Sequence, residues 1–287
     1  MATWVKHFPL QIKAAALQPL DPVAPVFRWA GSKRKTLPTL ASYWRPSYGR
    51  YVEPFAGSAA LFFWLQPERA LLGDINDDLI AAYHVIRDRP DDVHGAVSSI
   101  ERSERVYYRV RRRNPERLGA FARAVRFVYL NRHCFNGIYR TNLAGRFNVP
   151  YGHTRTGTIP PVEDFRRVAR LLGRARLKAG DFGSTLRVVK QGDFVYLDPP
   201  YAVESRRVFR QYDRREFSTR DLDRLSQHIE NIHRKGAWFV MSYADCGEAR
   251  RLFVHWVTRR IRVRRHIAGF ASGRRVTTEL LVTNIDR

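Results

Sequence analysis

Apolar residues fall in short unbroken runs on both flanks of the chain and at helical spacing through its middle. Runs too short for a helix predict buried strands at residues 51–55, 70–72, 176–179, 194–197 and 238–242. Two further strands are expected at 261–267 and 279–284. Helices are predicted from the small-residue turn after Phe55 through Leu65, over 77–87 with Asp78 in the first turn, and over 219–234. Residues 89–170 carry little strand signal. Within them, 121–132 reads as a helix with Phe121, Val125, Val128 and Tyr129 on one stripe and arginines on the other side. A loop is expected from Asn136 to Gly157. Strand–helix alternation interrupted by a helical middle predicts an α/β protein. Its doubly wound, mostly parallel sheet takes residues 21–88 and 171–287, and residues 89–170 form an inserted helical domain. Residues 1–20 read as a loosely ordered leader.

Charge changes this picture most. The 287 residues are 44% apolar and 13% aromatic, ample for a core. Lysine and arginine number 51 against 27 acids, a formal net charge of +24 carried mostly by arginine. Such an excess calls for a polyanion, and arginine favours planar, bidentate contact with phosphates and base edges. Nucleic acid is the leading partner; no long basic amphipathic stretch supports a membrane surface. Arginine recurs from Arg102 to Arg140 against only Glu101, Glu104 and Glu116, which assigns the insert to DNA. Two cysteines, Cys134 and Cys246, make neither a disulfide framework nor a zinc quartet, and the nine histidines lack metal spacing. No metal is expected. The longest apolar run, 59–65, cannot span a bilayer, and a reduced, cytoplasmic protein follows.

Candidate chemistry concentrates in Phe194-Val-Tyr-Leu-Asp198-Pro199-Pro200-Tyr201. An apolar strand delivers a carboxylate into a loop stiffened by two prolines and followed by an aromatic ring. Asp198 can accept one N–H of an exocyclic amine, the Pro199 carbonyl the other, and Tyr201 can stack on a flat base. A sharp turn with no ligand is the bland alternative. Upstream, Tyr51-Val-Glu-Pro-Phe55-Ala-Gly57-Ser-Ala59 is a strand entering a turn of small residues, where a ligand can approach the backbone. The next strand ends at Asp74, placed for ribose hydroxyls, with helix capping as the competing role. Asp181 after a third strand can accept from an adenine amine while Phe182 covers the ring. In Phe27-Arg28-Trp29-Ala-Gly-Ser-Lys33, Lys33 suits an anionic ligand group, and Trp29 is open as a core residue.

These segments, in this order, resemble the Dam-like (alpha-group) DNA adenine methyltransferases, which use S-adenosylmethionine. The matching pieces are residues 27–33, 52–63, 73–78, 128–150, 180–182, 195–201 and 278–284, nearly the whole chain after residue 20. The resemblance implies a Rossmann-like methyltransferase fold and methyl transfer to the N6 of an adenine flipped out of duplex DNA. It implies a cofactor pocket lined by Trp29, Lys33, Phe55, Gly57, Asp74 and Asp198, with Asp181 and Phe182 at the cofactor's adenine. Residues 131–140 become the DNA-intruding loop, beginning at Asn131 and Arg132. There Phe135 wedges into the base stack, Asn136 holds the opened site and Arg140 reads a guanine edge. Arg28 stands where the family can place a second base-reading cation.

The chain departs from the family at Gly57-Ser58-Ala59 and Gly31-Ser32, where many members have more glycine. Small residues are kept, so cofactor binding is expected to survive. Cys134, Phe135 and Thr141 differ from members that read GATC, leaving the target sequence open. The alternatives are methylation of DNA cytosine, RNA adenine or a glutamine side chain, and a decayed scaffold that only binds DNA. A monomer or weak dimer is expected, with a cognate restriction enzyme as an open partner.

Overall fold

Seven strands line up as one sheet in the order β3-β2-β1-β4-β5-β7-β6 in the computed structural model, which describes residues 21–31, 33–142, 144–201, 217–264 and 276–286. The expected leader, Ser32 and positions 265–267 of an expected strand lie outside the described residues. The strands are β1 Tyr51–Glu53, β2 Ala70–Asp74, β3 Ala175–Ala179, β4 Phe194–Leu197, β5 Trp238–Ala244, β6 Val257–Arg264 and β7 Val276–Thr283. β1 to β5 run parallel, whereas β7 pairs antiparallel with both β5 and β6. β1 stops at Glu53, short of the expected Phe55, because Pro54 has no N–H for the ladder. β6 and β7 begin earlier than their apolar residues suggested, since in each the first valine is followed by polar residues, Thr258-Arg-Arg in β6 and Thr277-Thr in β7.

The helices are α1 Leu37–Ala41, α2 Ala60–Leu65, α3 Asp77–Asp88, α4 Pro90–Ser98, α5 Glu104–Arg112, α6 Ala120–His133, α7 Val162–Leu172, α8 Phe182–Leu186, α9 Thr219–Arg234 and α10 Gly247–Leu252. Local chemistry sets the best-defined starts. The Asn76 side chain caps α3 by accepting from the Leu79 N–H, and Ser218 with Asp221 forms a capping box on α9.

Successive strand residues point to opposite faces, so each strand feeds two cores. Tyr51, Leu72, Phe194 and Tyr196 join the core on one face, and Val52, Leu71, Val195 and Leu197 join the other, under α9. The first core continues without a break into the insert, through Tyr83 of α3 to Tyr107, Phe127, Val128 and Phe165. A boundary at residue 170 falls inside α7, which packs on α3 and α4 and leads directly into β3.

The helical stripe expected over 121–132 is too narrow. Arg126 and Arg132 of α6 are buried instead of lying on an outer basic face. Arg126 crosses to α5 and donates to the carbonyls of Val110 (3.2 Å) and Arg111 (2.9 Å). These belong to the last turn of α5, where the Arg113 N–H also reaches the Val110 carbonyl, so the guanidinium adds an interhelical C-cap.

Asn131 joins the insert to the segment before α1. Its Oδ1 accepts from the Arg28 N–H (2.9 Å) and its Nδ2 donates to the Arg28 carbonyl (2.7 Å), with the side chain 2% exposed. Asn131→Ala orphans both backbone groups and is expected to cost about 2–3 kcal/mol. Denaturant unfolding of the two proteins measures that difference.

Candidate active site

The parallel strands end on one edge of the sheet. Glu53 closes β1, Asp74 closes β2, and Asp198 follows β4. Reversal of β7 brings Glu279 to the same edge, paired with Ala244 at the end of β5. The direction of winding changes between β1 and β4, where open α/β sheets form their ligand crevice.

At that switch point Lys33 Nζ lies 2.9 Å from Asp198 Oδ1, 3.1 Å from the Tyr201 hydroxyl and 3.6 Å from Glu279 Oε2. Ser242 Oγ donates to the same Asp198 Oδ1 (2.9 Å) and lies 3.3 Å from the Tyr196 hydroxyl. Tyr201 donates to Glu279 Oε1 (3.0 Å), and its ring stands edge-on to Tyr243. In the loop itself Pro199 is buried and Pro200 exposed. Burial raises the Asp198 pKa, opposed by Lys33 and the Ser242 hydrogen bond. Burial alone would discharge Lys33, but Asp198, Tyr201 and Glu279 outweigh it and hold the ammonium charged. Nearby, Glu53 is buried with its Oε2 accepting from the Tyr51 hydroxyl (2.9 Å), and burial drives its pKa well above the carboxylate range.

On the neighbouring side Gly57 has φ +47, and a Cβ there would lie 2.7 Å from the Trp29 indole, so only glycine fits this approach. The Gly57 N–H donates to Asp74 Oδ2 (2.9 Å), and Asp74 Oδ1 accepts from the Asn76 N–H (2.9 Å). Asp74 thus braces the turn after β1, while helix capping falls to Asn76. Phe55 packs on Phe182 at 5.3 Å between ring centroids, and Phe182 is nearly buried. Asp181 caps α8 through the Gly183 N–H and pairs with Arg224 (2.7 Å), whose guanidinium lies over the Phe182 ring. Ile75, 41% exposed beside Asp74, is an apolar surface at this edge that went unnoticed in the sequence.

The insert loop also gathers here. Asn136 (φ 56) and Gly137 (φ 66) form a left-handed corner, and a Cβ on Gly137 would lie 2.3 Å from the Arg28 Cβ. Arg28 directs its guanidinium at the carbonyls of Arg132 and Arg155. Phe135 has Arg155 over its ring at 5.0 Å, and Arg140 Nε donates to Asn148 Oδ1 (2.8 Å). Arg132 does not join them at the surface: it is buried and donates to the Pro25 carbonyl, because a guanidinium in this interior must find backbone acceptors. Trp29 stacks on Tyr139 (5.8 Å, 14°), linking the glycine turn to the insert loop.

Glu53, Ser242 and Glu279 escaped the sequence reading. The available signal was a lone acid within each apolar strand, Tyr-Val-Glu53 and Thr-Glu279-Leu-Leu-Val; Ser242 offered none. Among the described residues no cluster of three or more His, Cys, Asp or Glu is arranged for a metal, and no helix is long and apolar enough to cross a membrane.

An open sheet with one reversed strand, a small-residue turn after β1 and a carboxylate–proline–proline–tyrosine loop after β4 defines a methyltransferase acting on an amino group. The chain belongs to the D12 class N6 adenine-specific DNA methyltransferases, whose family model matches residues 29–267. It is 32% identical over 269 residues to the type II methyltransferase M1.LlaDCHI of Lactococcus lactis subsp. cremoris, covering 91% of this chain and 95% of that protein. It is 31% identical to the retron Ec67 DNA adenine methylase of Escherichia coli, covering 90% of each, and 30% identical to a DNA adenine methylase of Salmonella typhi, covering 88% and 92%. The protein is an adenine-specific DNA methyltransferase that modifies N6. Methyltransferases of this kind generally draw the methyl group from S-adenosylmethionine.

The buried Glu53 generates a pH prediction. Its folded pKa lies above the unfolded value near 4.5, so its contribution is full below that pH and is lost as pH rises towards the folded pKa. Glu53→Gln keeps an acceptor for Tyr51 and has no proton to lose. Its unfolding free energy should match the parent near pH 4.5 and exceed it by about 1.4 kcal/mol per pH unit above that, until the folded pKa is passed. A constant offset across that range would remove Glu53 as the source.

Proposed function

We propose that this enzyme binds S-adenosylmethionine beside the Gly57 turn and methylates an adenine flipped from duplex DNA into the Asp198–Pro199–Pro200–Tyr201 loop. The observation that carries this reading is the position of that loop: it leaves β4 at the switch point, beside the glycine turn braced by Asp74. The residues present suit the cofactor. Gly57 lets the Trp29 indole close on the turn, Asp74 presents a buried carboxylate for ribose hydroxyls, and Trp29, Phe55, Ile75 and Phe182 supply apolar surface. Asp181 accepts from the adenine amine, sharing its carboxylate with Arg224. Lys33 balances the charge of Asp198 where the two ligands meet. The cofactor supplies an electrophilic methyl group.

This chain's part is to make a poor nucleophile attack. The adenine amine nitrogen is unreactive because its lone pair is delocalised into the ring. Asp198 and the Pro199 carbonyl accept its two N–H groups and favour a tetrahedral nitrogen with a localised lone pair, while Tyr201 stacks on the base. This is positional and electrostatic catalysis, and Asp198 need not take the proton beforehand. Flipping the base costs a few kcal/mol. Phe135 offsets it by wedging into the stack after leaving Arg155, and Asn136 holds the vacated site. Arg140, its Nε already fixed by Asn148, offers its two remaining nitrogens to a guanine edge. Arg28 contacts DNA from the loop's flank. Residues 89–170 carry target recognition although they share the sheet's core. The enzyme works in the cytoplasm as a monomer or weak dimer.

Plasmid DNA from a methylation-free bacterial strain expressing the protein should carry N6-methyladenine in one short motif, and Asp198→Ala should abolish it. Modification-sensitive sequencing reads both. Methylation persisting in the Asp198→Ala strain would overturn the loop's role.

Arg140→Ala should relax selection at one base position, because a bidentate contact to a guanine carries roughly 1–3 kcal/mol of discrimination. Competition between site variants measures this. A uniform drop on all sites would make Arg140 a phosphate contact.

A further inference from the structure

We propose that Ser242 is a positioning residue: with Lys33 it holds Oδ1 of Asp198 and thereby assigns Oδ2 to the N–H of the target amine. The inference rests on the role of Asp198 given above. Two donors converge on Oδ1, Lys33 Nζ and Ser242 Oγ, each at 2.9 Å. An ionised carboxylate oxygen offers two lone-pair sites, so this atom is filled. Among the described residues no hydrogen bond reaches Oδ2. The two donors come from separate elements, the segment before α1 and the middle of β5, which fixes the carboxylate against rotation. Ser242 is 1% exposed, and among the described residues its hydroxyl bonds Asp198 and lies beside the Tyr196 hydroxyl. A carboxylate with one oxygen saturated and the other open is preorganised for a single N–H, leaving the second N–H to the Pro199 carbonyl.

The test is the single-turnover methylation rate of Ser242→Ala as a function of pH, with S-adenosylmethionine affinity measured by calorimetry. The groups facing Asp198 are Lys33, Tyr201, Glu279 of β7, Tyr196 of β4, and Tyr51 and Glu53 of β1, and all remain in the variant. The rate should fall roughly 10- to 100-fold, as for a lost hydrogen bond to a charged group. Cofactor affinity should hold. The acid limb of the rate profile should move to higher pH, because the Ser242 hydrogen bond lowers the Asp198 pKa. A parental rate, or a slower rate whose acid limb stays in place, overturns the positioning role. Asp198→Ala measured alongside separates the two readings. If it is inactive while Ser242→Ala is unaffected, only the inference fails; if it still methylates DNA, the role of Asp198 fails as well.

Discussion

Taking a carboxylate out of water costs several kcal/mol unless something replaces its hydration, and along one edge of its sheet this protein buries three and half-buries a fourth, Asp198. Each acid is accommodated differently. Glu53 accepts from a tyrosine hydroxyl, and burial raises its pKa well above that of an exposed carboxyl. Asp74 is satisfied by two backbone N–H groups and braces a turn. Asp198 is held by an ammonium and a serine hydroxyl, and Glu279 shares that ammonium and takes a tyrosine hydroxyl. Acids this close would repel one another in a common ionised state. They divide into a tyrosine-bonded group, a backbone-bonded group and an ion-paired group, with the ion pairing confined to Asp198 and Glu279.

The sheet topology makes that division possible. Lys33 precedes the first strand and Glu279 lies on the last, so the ion cluster unites the two ends of the described chain. Had β7 run parallel, its Glu279 end would lie at the opposite edge, far from Lys33. The insert is fastened to the same region. Its core is continuous with the sheet's, and the Trp29–Tyr139 stack spans the distance between glycine turn and insert loop. The glycine turn, the Asp198 loop and the insert loop therefore stand over one shared core.

Much of this was legible along the chain because it is local. Short apolar runs marked the parallel strands, and the proline-stiffened loop announced Asp198. Asp74 and Lys33 stood beside turns whose composition betrayed them. Partnership across the sheet was not legible. Glu279 and Ser242 matter through register between β5 and β7, which no window of neighbouring residues contains. Arg126 and Arg132 were misplaced for the related reason that helical periodicity assigns charge to the outside. It takes a neighbouring helix end, or the carbonyl of Pro25, to make an interior position acceptable for a guanidinium.

The grip of Asn131 on Arg28 has a consequence for how such an enzyme diversifies. Both hydrogen bonds go to the main chain of residue 28, and neither depends on its side chain. Gly137 makes room for the Cβ of that residue, an atom common to every amino acid but glycine. The scaffold therefore fixes where position 28 stands and leaves open what it displays there. A lineage can exchange that side chain by one substitution that leaves both main-chain hydrogen bonds, and the neighbouring Lys33–Asp198 cluster, in place.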